Sequence, residues 1–237
     1  MAVETAEGVG RGGTGGGPAS EVVLLEVAGL SKRYGGLAAV DDLSFRVSDG
    51  ETFGIAGPNG AGKTTLFDTI TGHARATQGR IVFRGEEIQE YSPHAICHLG
   101  VGRTFQIPAV FPDHTVFGNV VVGAYFGRAS RLVPGTRFDR ESIERGREAA
   151  RFVGLQDQLR TLAGPLSLFD KKRLMIASAI ASDPSLLMLD EPVGGLNPGE
   201  TAEVLDLVRK VRSSGVTVVL IEHVMNALMS ISDRVMV

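Results

Sequence analysis

The opening section of the chain has the hydrophobic pattern of β-strands. Segments 21–29 and 43–47 are rich in valine and leucine and alternate apolar with polar positions, as half-buried strands do. Segment 51–56 is short and apolar enough for a buried strand. Residues 31–36 predict a turn that carries an exposed aromatic ring, Tyr34. That ring is either a stacking platform for a purine or a tyrosine packed on a strand edge.

Two short elements are predicted after a glycine-rich loop. Segment 79–85 has the pattern of a strand that ends in a turn, and 92–98 predicts a short helix because a serine cap precedes a proline. In that helix, His94, Cys97 and His98 lie on neighbouring turns. They form either a metal site or a solvated helix face.

The middle of the chain, from about residue 111 to about residue 181, predicts mostly helix. Segments 119–127 and 139–154 have helical patterns, and the basic stretch 128–137 predicts the loop between them. This helical region separates the opening section from a second α/β section.

The last section predicts buried parallel strands that end in polar residues. The apolar run 185–191 ends in Asp190 and Glu191, and a helix at 200–212 separates it from a second apolar run, 216–221. The second run is followed by His223. Open α/β sheets place ligand chemistry at the carboxyl ends of their strands, so these three side chains are expected to converge on one edge.

Composition narrows the possible classes of protein. The chain has 237 residues, 43% hydrophobic and 22% charged, which suits one large globular domain or two small ones. A net charge of −3 argues against a broad nucleic-acid surface, and a single cysteine excludes an internal disulfide. No apolar run reaches about 18 residues, so no membrane-spanning segment is expected, and the first residues do not predict a signal peptide. Residues 1–20 are glycine-rich and predict a disordered leader.

The glycine-rich loop after the third strand has the spacing of a phosphate-binding loop, G-x-x-x-x-G-K-[ST]. Its glycines let successive backbone N–H groups point at phosphate oxygens, and the helix predicted over 63–70, which stops before Gly72, adds its positive end. The lysine ammonium reaches the β- and γ-phosphates, and the first threonine hydroxyl is placed to ligate Mg²⁺. The loop consists of Gly57, Pro58, Asn59, Gly60, Ala61, Gly62, Lys63, Thr64 and Thr65.

Three further short sequences accompany this loop and the paired acids. Arg-Thr-Phe-Gln ends at Gln106, Gly-Leu-Asn-Pro ends at Pro198, and Ile-Glu-His-Val-Met contains His223. In this order, the motifs resemble the ATP-binding subunits of ABC transporters, most closely the branched-chain amino acid uptake type. The resemblance covers residues 22–237. It implies an α/β fold with a P-loop core of the ABC ATPase type, an antiparallel β layer and a helical subdomain at about 111–181.

The resemblance also implies roles for the matching residues. Tyr34 matches the aromatic residue that stacks on adenine. Gln106 matches a glutamine that senses Mg²⁺ and water, and Asp190 matches the aspartate that holds Mg²⁺ with Thr64. Glu191 matches the catalytic base that activates water. His223 matches the switch histidine that contacts the γ-phosphate of ATP.

One segment departs from the family pattern. The signature Leu-Ser-Gly-Gly-Gln falls at 166–170, which here reads Leu-Ser-Leu-Phe-Asp. In the family this segment binds the ATP of a partner subunit, so Ser167 is a candidate ATP ligand. Phe169 and Asp170 bring bulk and negative charge to that contact, unless the loop shifts and the ring packs outward. The chain also ends at Val237, earlier than the family usually does.

By resemblance, the partners are integral membrane permease subunits and a second ABC ATPase subunit. A heterodimer is favoured over a homodimer because the phosphate-binding loop, Glu191 and His223 fit the family pattern while the signature does not. A different subunit could supply an intact signature to this chain's ATP. A solute-binding protein is expected to act only indirectly, and no nucleic acid is expected. The implied location is the cytoplasmic face of the cell membrane. The alternatives are an ABC protein without a transport role and an ATP-binding regulatory subunit that does not hydrolyse ATP.

Overall fold

A computed structural model describes residues 22–127 and 138–237. The elements, in chain order, are β1 (Val23–Tyr34), β2 (Leu37–Ser48), β3 (Thr52–Ile55), α1 (Lys63–Ile70), β4 (Gln78–Phe83), β5 (Glu86–Glu87), α2 (Pro93–His98), β6 (Val101–Arg103), α3 (Val116–Phe126), α4 (Arg140–Phe152), a 3₁₀ turn (Gln156–Gln158), α5 (Leu168–Ile180), β7 (Leu186–Asp190), α6 (Pro198–Ser213), β8 (Thr217–Ile221), α7 (Met225–Ile231) and β9 (Arg234–Met236).

The first sheet is antiparallel, in the order β2-β1-β4-β5. Its central strand β1 is longer than predicted, because it pairs with β2 as far as Tyr34 and Leu37. The turn predicted at 31–36 is therefore wrong for its first four residues, and only Gly35 and Gly36 turn. The register between β1 and β2 shifts at several points, and turn signals in the local sequence do not predict such shifts.

The second sheet is parallel, in the order β6-β7-β8-β3-β9. Every residue of β3, β7 and β8 is buried, as expected for parallel strands covered on both faces. Asp190 pairs with Ile221, and Ile221 pairs with Ile55, so three strands end side by side. The carboxyl ends that carry the predicted chemistry therefore meet at one edge of the sheet.

Helices α3, α4 and α5 pack on one another and share a core with α6 and the parallel sheet. The contact between α3 and α5 depends on Gly123, because a Cβ there would lie 2.1 Å from the carbonyl oxygen of Ser178. The helices predicted at 119–127 and 139–154 are confirmed with shifted bounds, and the one predicted at 63–70 is confirmed as α1.

The predicted α/β fold with an antiparallel layer is confirmed. The glycine-rich leader and the basic loop at 128–137 lie outside the described residues. In residues 22–127 and 138–237, no helix has both the length and the apolar character that crossing a bilayer requires.

Candidate functional site

The glycine-rich loop joins β3 to α1 and is shaped around its own lysine. Lys63 is buried, and its ammonium donates hydrogen bonds to the carbonyl oxygens of Gly57, at 2.7 Å, and Pro58, at 2.9 Å. Gly62 precedes α1 with φ of 84°, and a Cβ there would lie 1.9 Å from the carbonyl oxygen of Ala39. Only glycine fits that position without a shift of the backbone.

The outer surface of this loop is open to a ligand. Pro58, Asn59, Gly60 and Ala61 are exposed, and so is Thr64 at the start of α1. Thr65, the last residue of the motif, is half-buried on the same helix. The loop thus presents backbone and one hydroxyl to solvent beside a helix N-terminus, an arrangement that suits a phosphate chain.

Asp190 ends β7 in a buried, charged environment. Arg103 Nη2 lies 3.7 Å from its Oδ2, and the same guanidinium is 2.7 Å from Asp68 and 2.9 Å from Thr71. Burial raises the pKa of Asp190, while Arg103, and more weakly Lys63, act in the opposite direction. The Oδ1 atom of Asp190 is buried and has no hydrogen-bond partner within the described residues. It is therefore available to a cationic group or a water held by one.

Two of the predicted catalytic residues, Gln106 and His223, contact the third, Glu191. Gln106 Nε2 donates to Oε2 of Glu191 at 2.9 Å, and His223 Nε2 lies 2.5 Å from Oε1 of the same carboxylate. Glu191 has φ of 49°, a region that side chains other than glycine adopt rarely. Its N–H donates to the carbonyl oxygen of Ile221 at 3.0 Å, so β8 holds this unusual backbone in place.

Two buried charged residues of this site were missed by the sequence analysis. Lys172 of α5 donates from its ammonium to the carbonyl oxygen of Glu191 at 2.6 Å. The Glu222 carboxylate accepts from the N–H groups of Val193, at 2.7 Å, and His223, at 3.2 Å. Burial lowers the pKa of Lys172, although the negative charges of Glu222 and Glu191 act in the opposite direction. Burial raises the pKa of Glu222. The only sequence signal was their position beside motif residues.

Tyr34 and Ser167 stand apart from this cluster. Tyr34 ends β1 and is 52% exposed, and the Lys32 ammonium lies 4.6 Å from the centroid of its ring. Ser167 caps α5, and its hydroxyl accepts from the N–H of Asp170 at 3.0 Å. Within the described residues, no hydrogen bond or ion pair joins either side chain to the other predicted site residues.

The departing signature residues are built into the fold. The ring of Phe169 is partly buried against the core under the α-helices, with the Arg173 guanidinium 4.4 Å from its centroid. Asp170 forms an ion pair with Arg173. Burial alone would raise the pKa of Asp170, but Arg173, with Gln158 and Ser167, lowers it overall. This packing differs from both sequence interpretations, which placed the ring either towards a partner's nucleotide or outward.

The three candidate metal ligands of α2 have other contacts. His98 Nε2 lies 2.8 Å from the carbonyl oxygen of Phe126, and Cys97 Sγ lies 3.7 Å from that of Gly127. The rings of His94 and His98 are 3.9 Å apart. Across the described residues, no group of three histidine, cysteine, aspartate or glutamate side chains is arranged to hold a metal ion. The metal interpretation is therefore wrong for these residues, which instead help α2 to contact the end of α3.

Comparison with known proteins gives a consistent result. The family model described as ABC transporter matches residues 40–194. The branched-chain amino acid transport ATP-binding protein BraF of Pseudomonas aeruginosa is 40% identical over 90% of this chain and 87% of its own. LivG of Escherichia coli, with the same description, is 38% identical over the same shares. A solved ATP-binding cassette of an ABC transporter in its ADP conformation has a TM-score of 0.81 and 28% identity, covering 91% of this chain and 90% of its own.

Proposed function

We propose a specific role for this chain from the premise that it belongs to the ABC transporter family and is an ATP-binding, ATP-hydrolysing subunit. Its role is to power the uptake of branched-chain amino acids or similar small polar solutes. The substrate class rests on the relatives, BraF and LivG, whose descriptions name branched-chain amino acid transport. The hydrolytic role is carried by one observation, the contact of Gln106 and His223 with the Glu191 carboxylate.

In the proposed mechanism, the loop binds the phosphates of ATP. The Lys63 ammonium exchanges its two carbonyl partners for phosphate oxygens, and the backbone N–H groups at the start of α1 hold the remaining charge. The exposed Tyr34 ring stacks on the adenine. On the face of a second subunit, Ser167 and the N-terminus of α5 contact that subunit's ATP.

The residues at the edge of the sheet fit a magnesium ion. The free Oδ1 of Asp190 and the exposed hydroxyl of Thr64 are oxygen ligands of the kind Mg²⁺ prefers, and the side-chain oxygen of Gln106 would be a third. When bound, the ion neutralises charge on the phosphates. Arg103 keeps the neighbouring Asp190 oxygen in place.

Hydrolysis then depends on Glu191, which takes a proton from the attacking water while His223 contacts the γ-phosphate. We expect Glu191→Gln to lower kcat at least about a hundredfold, since a general base contributes 10²–10⁴-fold, and to leave ATP affinity nearly unchanged. Steady-state hydrolysis and ATP titration measure the two effects. Glu203→Gln, on the exposed face of α6, is the matched control. Wild-type turnover in Glu191→Gln would remove Glu191 from this role.

A groove beside Gln106 supports docking of a membrane permease subunit. It has a volume of about 450 Å³ and lies between the segment after β6 and helices α3 and α5. Its lining is mainly apolar and includes Phe105, Val122, Phe126 and Met175. This groove gives the proposed helical subdomain, residues 111–181, a surface for the permease at the cytoplasmic face of the membrane. Co-purification of the chain with a multi-span membrane protein tests this placement.

We further propose that the second ATPase subunit is a different chain. The support is the signature, because Asp170 brings a carboxylate and Leu168 an exposed apolar side chain to the end of α5. The inward packing of Phe169 removes the ring itself from this argument. Glu191→Gln traps any closed dimer, so its mass with and without Mg-ATP tests the proposal. A monomer that binds ATP supports a different partner, and an ATP-dependent homodimer contradicts one.

A further inference from the structure

Lys172 and Glu222 are two almost fully buried charged side chains beside the catalytic cluster. Lys172 is 3% exposed and Glu222 is 1% exposed. Neither belongs to the proposed nucleotide contacts, and burying a charge is unfavourable unless it is compensated. Each is compensated by contacts with the backbone of the segments that carry Glu191 and His223.

The Lys172 contact lies where the backbone is strained. Glu191 has φ of 49°, so the orientation of its peptide groups is not maintained by ordinary strand geometry. Its carbonyl oxygen accepts from Lys172 Nζ at 2.6 Å and from the N–H of Gly194 at 3.2 Å. Fixing this carbonyl fixes the direction in which the Glu191 side chain leaves the backbone.

Glu222 acts on the other side of the cluster. One of its carboxylate oxygens accepts from the N–H of Val193, two residues after Glu191, and the other accepts from the N–H of His223. One carboxylate therefore ties the segment after β7 to the segment after β8. Lys172 balances its charge electrostatically.

We propose that Lys172 and Glu222 are positioning residues that hold Glu191 and His223 in register for hydrolysis. Lys172 belongs to α5, the helix that Ser167 caps, so the pair also links the catalytic glutamate to the surface that meets a second subunit. This inference rests on the proposed roles of Glu191 and His223. It adds to them a buried charge pair that controls the rate of the chemical step.

The test compares five variants of the full chain: Lys172→Met, Glu222→Gln, both changes together, Lys172→Arg, and the control Lys210→Met. Lys210 is an exposed lysine near the C-terminal end of α6, and its ammonium makes no hydrogen bond or ion pair within the described residues. Three quantities are measured: kcat and KM for ATP, the Kd of a fluorescent ATP analogue, and the melting temperature. The extrinsic probe is needed because the chain contains no tryptophan.

We expect Lys172→Met to lower kcat at least about tenfold, because a displacement of about 1 Å can cost a hundredfold in rate. The Kd should change by less than about twofold. Lys172→Met and Glu222→Gln each remove one of two opposite buried charges, so each should lower the melting temperature. The double variant should return the melting temperature towards that of the wild type. The double variant does not regain kcat, because the hydrogen bond to the Glu191 carbonyl is still missing. Lys172→Arg restores part of kcat, and Lys210→Met resembles the wild type.

Three results would overturn the inference. If kcat recovers together with the melting temperature in the double variant, the pair only stabilises the fold. If Lys172→Met keeps wild-type kcat while Glu191→Gln is inactive, the positioning role alone fails and the proposed function stands. If Glu191→Gln itself turns over normally, the role of Glu191 fails, and this inference fails with it.

Discussion

Replacing Phe169 by glycine distinguishes a core residue from an obstruction at the subunit interface. The ring is partly buried against the helical core and lies beneath the Arg173 guanidinium. If it covers roughly 130 Å² of apolar surface, at about 25 cal/mol per Å², the ring contributes about 3 kcal/mol. Glycine in the first turn of α5 adds about 0.5 kcal/mol of backbone entropy cost. We therefore expect Phe169→Gly to lower the free energy of unfolding by about 3–4 kcal/mol.

Urea denaturation measures this loss, and thermal unfolding gives a second readout. For a domain of this size, about 2–4 °C of melting temperature is lost per kcal/mol, which predicts a decrease of roughly 6–16 °C. Phe169→Leu is the matched control, since it keeps an apolar side chain of similar volume at the same position. Its loss should stay below about 1.5 kcal/mol.

The opposite result has a definite structural meaning. If Phe169→Gly is as stable as the wild type and hydrolyses ATP faster, the ring is not held by the core. The interpretation from the sequence, in which the ring stands against a partner's nucleotide, would then be correct. That result would also restore the steric argument for a partner with a different signature.

Two further predictions concern the phosphate-binding loop and the signature. Gly62→Ala should weaken ATP binding more than Gly60→Ala, measured by calorimetric titration, because both glycines have φ near 83° but only Gly62 has no room for a Cβ. Equal losses of ATP affinity in the two variants would show that backbone strain causes the loss, and that the contact with Ala39 does not. Asp170→Asn should lower the free energy of unfolding at pH 7. The pKa of Asp170 is lowered from its ordinary value of 3.8, so its ion pair with Arg173 stabilises the fold at pH values above 3.8. The deficit should shrink as the pH falls below that value in urea titrations, and a deficit that does not depend on pH would exclude the ion pair as its cause.

Sequence reasoning succeeded where the determining contacts are local. Helix α1 was predicted with the bounds it has because glycines lie at its two ends. The two acids at the end of β7 were recognised because they close an apolar run. The turn at 31–36 was wrong because β1 continues through pairing with β2 and β4, and Ser31 itself pairs with Gln78. Long-range pairing outweighed the local turn signals there.

The missed residues have a different cause. Lys172 lies 19 positions from the carbonyl it binds, in a helix whose sequence also suits a surface lysine. Its partner depends on how α5 packs against the end of β7, which no local pattern encodes. Phe169 is similar, because its direction depends on Arg173 and on the core beneath α5. Residue types in the sequence predicted the nucleotide-binding residues. The residues that position them could be found only from the tertiary structure.

The close approach of α3 and α5 at Gly123 has a mechanical consequence. Backbone lies against backbone there, and no flexible side chain cushions the contact. Close-packed interiors have low compressibility, so a load applied to the α3 wall of the groove cannot be absorbed between the two helices. Helices α3 and α5 therefore move as one rigid unit. Both contribute residues to the groove, and Ser167 lies at the N-terminus of α5. A displacement of α3 at the groove would thus be passed through the contact at Gly123 to α5, and so to Ser167 at the start of that helix.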